Sequence, residues 1–395
     1  MTEPLNGADA SREPRPGWAG RLAFIGFSLA VAVLLLVVCD VLVRVSGLDR
    51  PQLSTPLMPE FGEQFRAVHR NDDLVFYSLK PSIRERFGPV VVSTNSKGFR
   101  SPEFGEKVPG EFRVLSLGES TTFGAGVRDK ETYSFLLEQH LSRLEGAPRY
   151  SVINAGVGAY SSFQSRVLLE ERGQALEPDL VLIYHELADF LPTANRDSFA
   201  PDSTGLTLSD KKLFESRQQT VNRRLLEASA IYRLLSHALA QRQVESYQAE
   251  AAAPVADHIV LPKLMREIST PEGMRELRLP ARVPLDEREE NLNRMLAWCE
   301  AHGAQLVIIH PSYAESQHHE CDLTEFAERN AVPIFDAFHS LHPDPPVGKL
   351  YWDLWHPNAK GHARVARDLF RFLTEKRLVP RTPSRPDSIR AGPVE

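Results

Sequence analysis

Phe112–Ser116, FRVLS, runs directly into Leu117–Gly126, LGESTTFGAG, and this junction decides how the chain is read. The first five residues have the apolar, β-favouring character of a short buried strand. The following stretch leaves that strand through a glycine, an acid, a serine and two threonines, then adds two more glycines. Such a segment is either a flexible turn or the end of a strand that delivers one side chain, Ser120, to a reaction. The rest of the chain separates the two.

Working outward, apolar runs recur at Arg113–Leu117, Tyr150–Asn154, Leu180–Tyr184, Gln305–His310 and Pro333–Phe335. Between and after them lie helical patterns at Glu131–Leu144, Ser161–Gln174, Leu285–His302, Leu323–Asn330 and Pro357–Lys376. Alternation of this kind implies an α/β fold: right-handed crossovers build a parallel sheet with helices on both faces. The rhythm breaks between Phe190 and Pro284, where Lys211–Glu250 reads as one or two helices and Ala251–Pro254 as linker. This insertion, residues 190–284, follows the third strand, at the end of the sheet where ligands bind. Two readings of it stand, a lid and a decorating helical pair.

The chain has 395 residues, room for one large domain or two ordinary ones, and 42% hydrophobic residues, enough for a sizeable core. Its net charge of −6, from 46 basic and 52 acidic residues, offers no basic patch for a nucleic acid. Three cysteines exclude a disulfide scaffold. Leu22–Cys39 is uncharged and mostly apolar, Asp40 follows, and Val41–Val43 extend the run. As a helix, Leu22–Cys39 spans roughly 27 Å, close to the hydrocarbon thickness of a bilayer. A membrane anchor is therefore expected over residues 21–45. No A-x-A-like cleavage site follows it, and Leu36–Cys39, LVVC, is a poor lipoprotein box. Arg12, Arg15 and Arg21 precede the span while Arg44 and Arg50 follow it, which favours a cytoplasmic N-terminus and an extracytoplasmic main domain. Residues 1–20 and 377–395 read as disordered tails. Residues 46–80 read as a juxtamembrane linker.

Three features converge at strand ends. Ser120 lies just past the first strand. Asn154–Ser162, NAGVGAYSS, leaves the second through small residues that expose backbone N–H groups. Asp353–Gly361, DLWHPNAKG, precedes the last helix, and its spacing puts Asp353 and His356 side by side in a turn. A serine needs a base to become a nucleophile at neutral pH, and the base needs an acceptor that orients it.

With these motifs in view, the chain resembles the SGNH (GDSL-type) hydrolase superfamily, and membrane-anchored bacterial members in particular. Gly118-Glu119-Ser120 matches the first block, usually GDS, and Asp353-Leu354-Trp355-His356 the last, DxxH, within an HPNxxGH setting that ends at His362. Thr94–Arg100 (TNSKGFR), Phe123–Tyr133 (FGAGVRDKETY) and Asn154–Ser161 are similar too, so the resemblance covers residues 81–376. It implies a three-layer α/β/α sandwich on a five-stranded parallel, flavodoxin-like sheet. It also implies Ser120 as nucleophile, His356 as general base and then acid, and Asp353 as its orienter. The reaction implied is acyl transfer through a serine ester to water or a sugar hydroxyl, with no cofactor and no metal. The substrates implied are acyl esters, those of glycans first. A lipid-directed esterase and a non-catalytic binding module for glycan or a partner protein stand as the alternatives.

Two blocks depart from the family pattern. The oxyanion glycine of the second block is Ala159, with Gly158 before it, although a backbone N–H survives that change. The third block, GxND in the family, reads Glu186-Leu187-Ala188-Asp189, so the asparagine that would donate its amide is Ala188. Losing one oxyanion donor typically lowers turnover by about 10²–10³. The N–H groups of Ser120 and of Ala159 or Gly158 would remain, and His185 and His310 are candidate substitute donors.

Other signals are weaker. No Gly-Lys-Ser/Thr follows the first glycine turn, so it is not a phosphate loop. Gly156-Val157-Gly158 starts like a dinucleotide fingerprint, but Ser161 stands in the third glycine's place. His318-His319-Glu320-Cys321 has ligand residue types, yet adjacent histidines converge poorly on one ion. Cys299 and Cys321 would share an oxidising compartment, with no spacing argument for pairing. Tyr351, Trp352 and Trp355 flank His356 and either line a pocket or pack beneath the loop.

Overall fold

In a computed structural model the five apolar runs are five strands of one sheet. The structure describes residues 18–46, 48, 62–72, 74–144, 148–190, 209–219, 228–232, 234–235, 282–314, 322–344 and 346–380. His318, His319, Glu320 and Cys321 lie outside the described residues, as do residues 1–17 and 381–395 of the expected tails and most of the insertion.

Two compact units are present. The first joins residues 1–51 with 220–241. Its helix α1, Trp18–Ser46, carries a stretch, Arg21–Ser46, of mean hydropathy 2.9 that is long and apolar enough to cross a membrane. Within this unit Asp40 accepts hydrogen bonds from Ser229 Oγ (2.6 Å) and the Ile231 N–H (3.0 Å), and Arg44 donates to the Ala228 carbonyl (2.9 Å). The one carboxylate near the end of the apolar run is thereby satisfied within the chain.

The second unit holds the sheet. It opens with helix α2 (Gly62–Val68) and two antiparallel hairpins, β1 (His69–Asp72) with β2 (Phe76–Leu79) and β3 (Arg84–Phe87) with β4 (Val90–Ser93). Residues 62–79 fall in the stretch read from sequence as linker; instead Val68, Val75 and Leu79 are buried in the main core. Four-residue strands as polar as HRND show no periodicity, so only burial against the rest of the unit reveals them.

Strands β5 (Glu111–Gly118), β6 (Arg149–Asn154), β7 (Leu180–Tyr184), β8 (Gln305–His310) and β9 (Ile334–Asp336) are all parallel and lie in the order β6-β5-β7-β8-β9. This is the five-stranded parallel sheet expected. Alternate residues along each strand feed opposite faces. Leu115, Ile153, Val181 and Ile308 face one layer, with Leu169 of α5 (Ser162–Leu176) and Met295 of α8 (Leu285–Ala301). Val114, Val152, Leu182 and Val307 face the other, with Leu137 of α4 (Tyr133–Leu141) and Leu369 of α11 (Ala359–Glu375). Both faces being covered, the strands read as continuous apolar runs.

The chain passes from β5 to β6 on one side and then crosses to β7 on the other. The C-terminal end of β5 is therefore the switch point at which open α/β sheets form their clefts.

Candidate active site

Ser120 opens the one-turn helix α3 (Ser120–Phe123) immediately beyond β5. Two glycines permit this placement. A Cβ on Gly118 would collide with Thr122 and the Tyr184 carbonyl, and one on Gly156 with the Phe123 N–H. The second contact presses the loop after β6 against the serine turn. Asn154 reinforces it, donating its amide to the Thr122 carbonyl (2.7 Å) and accepting from the Gly156 N–H (3.0 Å). Arg100, buried, donates to the carbonyls of Phe123 (2.8 Å), Gly124 (2.7 Å) and Val127 (2.7 Å), and holds the far side of the turn.

The loop before α11 is a tight hairpin. Trp352 N–H donates to the His356 carbonyl (3.0 Å) and Asn358 N–H to that of Leu350 (2.8 Å). Asn358 caps α11 by accepting from the Lys360 and Gly361 N–H groups, and a Cβ on Gly361 would strike the Leu350 carbonyl. These contacts explain the HPNAKG wording. The remaining histidine of the motif, His362, is buried, accepts from the Tyr133 N–H (3.1 Å), and is pushed down to about 3 by burial, with minor help from Arg100 and His356. It is a packing residue.

That hairpin brings three predicted side chains together. His356 Nε2 lies 2.8 Å from Ser120 Oγ, and His356 Nδ1 lies 2.7 Å from Asp353 Oδ2. The other Asp353 oxygen accepts from the N–H groups of Trp355 (2.8 Å) and His356 (2.7 Å). Burial alone would raise the Asp353 carboxyl, but the hydrogen bond and charge of His356 and these two N–H groups outweigh it and hold the group below its ordinary value. An ionised Asp353 assigns the imidazole proton to Nδ1 and leaves Nε2 as acceptor for the serine hydroxyl. Trp352 stacks on His356 (5.8 Å, 24°) and donates its indole N–H to the Ala125 carbonyl (3.1 Å). Trp355 stands edge-on to the same imidazole (6.5 Å), and Tyr351 is buried, donating to Ser312 Oγ (3.2 Å). Tyr351 and Trp352 thus pack in the hairpin and also line a cavity beside Asp353 and Leu354.

The two turns that flank the serine strand differ. Gly158 and Ala159 are partly exposed, and their N–H groups make no hydrogen bond among the described residues. Ala159 sits at φ +58°, the left-handed region where glycine is at ease and alanine is strained by about 1–2 kcal/mol. The glycine-to-alanine change is thus tolerated rather than neutral. After β7, Ala188 supplies only a methyl group, and its N–H is already taken by Glu119 Oε2 (2.7 Å). Glu119 Oε1 accepts from the Glu186 and Leu187 N–H groups (3.2 Å each). Glu119, the variant acid of the first block, thereby ties the serine turn to the third block. Burial pushes it up to about 7, with the nearby Asp189 and Glu186 charges adding and the Ala188 and Glu186 N–H groups opposing. An acid directly before the serine was the only signal in the sequence for this role.

The two candidate substitute donors have partners of their own. His185 is buried, shares a hydrogen bond with Ser165 Oγ of α5 (2.7 Å), and is pushed down to about 3 chiefly by burial. His310 Nδ1 lies 2.8 Å from the Pro311 carbonyl and 4.0 Å from Asp336. Asp189 accepts from the Ser162 N–H at the start of α5 (2.6 Å) and lies 3.6 Å from Arg288. Cys299 is a free, buried thiol pushed up to about 12, first by burial and then by the Glu300 charge.

The model of the GDSL-like lipase/acylhydrolase family matches residues 114–369, and the chain belongs to that family. Among solved structures, it is similar to the acetylxylan esterase Axe2 of Geobacillus stearothermophilus, with 16% identity over 66% of this chain and 94% of that one and a TM-score of 0.37. It is also similar to LAE5, an alpha/beta hydrolase from the metagenome of Lake Arreo, with 15% identity over 68% of this chain and 98% of that one and a TM-score of 0.38. A comparison with curated protein sequences finds no match.

Proposed function

We propose that the chain is a membrane-anchored serine esterase that cleaves acyl esters through Ser120, His356 and Asp353. The observation that carries this reading is the unbroken hydrogen-bond chain from Ser120 Oγ through His356 to Asp353. His356 Nε2 takes the hydroxyl proton as Oγ attacks the acyl carbonyl, and Asp353 holds the resulting imidazolium. The tetrahedral intermediate collapses, the alkoxide leaves with the proton from His356, and an acyl-Ser120 ester remains. Water, or a sugar hydroxyl in a transfer reaction, then repeats the sequence and frees the serine.

The N–H groups of Ser120 and Ala159 stabilise the oxyanion in this reading, with Gly158 beside them. With one donor fewer than the family pattern, turnover is expected to lie about 10²-fold below that of a complete site. O-acyl glycans at the cell surface are the proposed substrates, with the N-terminus cytoplasmic and the catalytic unit outside. The Ala188 methyl favours the second reading, a binding module that has kept the fold. Hydrolysis of an activated acetyl ester by the full chain beside Ser120→Ala decides between them, since equal rates would sink the enzyme. A topology reporter fused after residue 50 checks the orientation.

A further inference from the structure

The Gly158–Ala159 peptide is gripped from outside the sequence motifs. Tyr77, on the hairpin β1–β2, donates its hydroxyl to the Gly158 carbonyl at 3.0 Å. Arg282, where the chain returns from the insertion, donates Nη1 to the Ala159 carbonyl at 2.6 Å. Its remaining nitrogens are all engaged nearby. Nε binds both oxygens of Asp210 (2.9 and 2.8 Å), at the start of α7 (Asp210–Gln219), and Nη2 binds Gln164. Asp210 in turn accepts from Ser161 Oγ (2.6 Å), and Gln164 donates to the Val75 carbonyl beside Tyr77 (2.7 Å). Asp210 and Arg282, both within the insertion, and the early hairpin thus converge on one loop.

In a trans peptide the C=O and N–H point in opposite directions. A donor seated on the Gly158 carbonyl therefore turns the Ala159 N–H the other way and polarises it. That N–H has no partner among the described residues. The start of the loop is pinned to the serine turn, the Val157 N–H donating to the Gly118 carbonyl at 3.1 Å. Ala159 stands between the two gripped carbonyls in its left-handed conformation, and such a conformation persists only where its surroundings over-determine it. Tyr77 lies ahead of the family-matched residues 114–369, and Arg282 belongs to the insertion.

We infer that Tyr77 and Arg282 are positioning residues that hold the Gly158–Ala159 peptide with its N–H directed at the acyl oxygen of the substrate. The inference rests on the esterase reading and deepens it. The β6 side compensates for the amide missing at position 188 with a clamped and polarised donor, and Arg282 contributes to turnover through the Ala159 carbonyl. Burial pushes the Tyr77 hydroxyl up to about 12, so it remains a donor through neutral pH.

The test uses the full chain in detergent micelles, with an activated acetyl ester as probe and Ser120→Ala as baseline. Tyr77→Phe removes one hydroxyl, and Arg282→Lys keeps the charge while Arg282→Ala does not. Tyr77→Phe and Arg282→Ala are each expected to lower kcat about tenfold, less than outright loss of a donor, with KM within twofold. Arg282→Lys is expected to recover part of the loss. Amide hydrogen exchange across residues 155–161 should quicken in both damaging variants, while the melting temperature holds in Tyr77→Phe and falls in Arg282→Ala, which strands the Asp210 carboxylate. Ser120-dependent hydrolysis with an unchanged kcat in Tyr77→Phe would overturn the inference alone. Hydrolysis equal in wild type and Ser120→Ala would overturn the esterase reading and the inference with it.

Discussion

The turns that follow β6 and β7 flank the strand that carries Ser120, yet they treat their backbone donors in opposite ways. After β6 the N–H groups of Gly158 and Ala159 have no partner among the described residues, while the neighbouring carbonyls are held by Tyr77 and Arg282. After β7 the N–H groups of Glu186, Leu187 and Ala188 all close on one carboxylate, Glu119. One turn leaves its donors uncapped, and the other spends them on holding the serine turn in place. In the proposed esterase the oxyanion therefore draws on the Ser120 N–H and the β6 turn, and not on the β7 turn. The availability of a backbone donor thus depends on which side chains fold against it.

The largest expected effect lies on the axis shared by both turns. Asp353→Asn should lower kcat by about 10⁴, because an amide no longer enforces the Nδ1–H form of His356. Steady-state kinetics with an activated ester measures it, and a loss below tenfold would deny Asp353 its proposed orienting role.

Glu119→Ala should destabilise the fold by about 3 kcal/mol, since three buried N–H groups lose their acceptor. Chemical denaturation reads this directly. The same carboxyl predicts a pH effect. Its value rises from 4.5 to about 7 on folding, so the native state keeps a proton that the unfolded chain has released. The contribution of Glu119 to stability is therefore greatest below pH 4.5, declines as pH rises to 7, and is level above. Relative to Glu119→Gln, wild type should lose up to about 3 kcal/mol across that window. A flat difference between the two proteins would place the charged form of Glu119 comfortably inside the N–H cradle.

Ala188→Asn puts an amide donor back on the β7 side and should raise kcat about tenfold, a part of what one donor supplies. If the rate is unchanged, the methyl group does not face the acyl oxygen and the two turns are less alike than their positions suggest. Smallest of all, Ala159→Gly relieves the left-handed alanine but loosens the unfolded chain, for a net gain of about 0.5 kcal/mol. A small rise in melting temperature checks this, and a fall would mean that the Ala159 methyl packs usefully.

Much of the molecule was legible beforehand. The five strands fall within two residues of their expected limits, because strands covered on both faces must be apolar throughout. Asp353 and His356 were readable because they sit three residues apart in one hairpin, and Ser120 because a strand delivers it to the switch point. Tyr77 was not readable, since HRND and FYSL carry no pattern that separates a hairpin from a linker. Arg282 was not readable either, since its partners Asp210, Gln164 and Ala159 lie between 72 and 123 residues away in the chain.

What the sequence by itself determined is the layered sheet, the apolar N-terminal helix and the serine, histidine and aspartate at the ends of their elements. Each of these depends on local periodicity or on spacing within one turn. What only the tertiary structure decided is which backbone groups remain free to bind. Glu119 captures the β7 turn, and Tyr77 and Arg282 aim the β6 turn. A backbone N–H is the same in every residue but proline, so its availability is written in what folds against it and not in its own letter of the sequence.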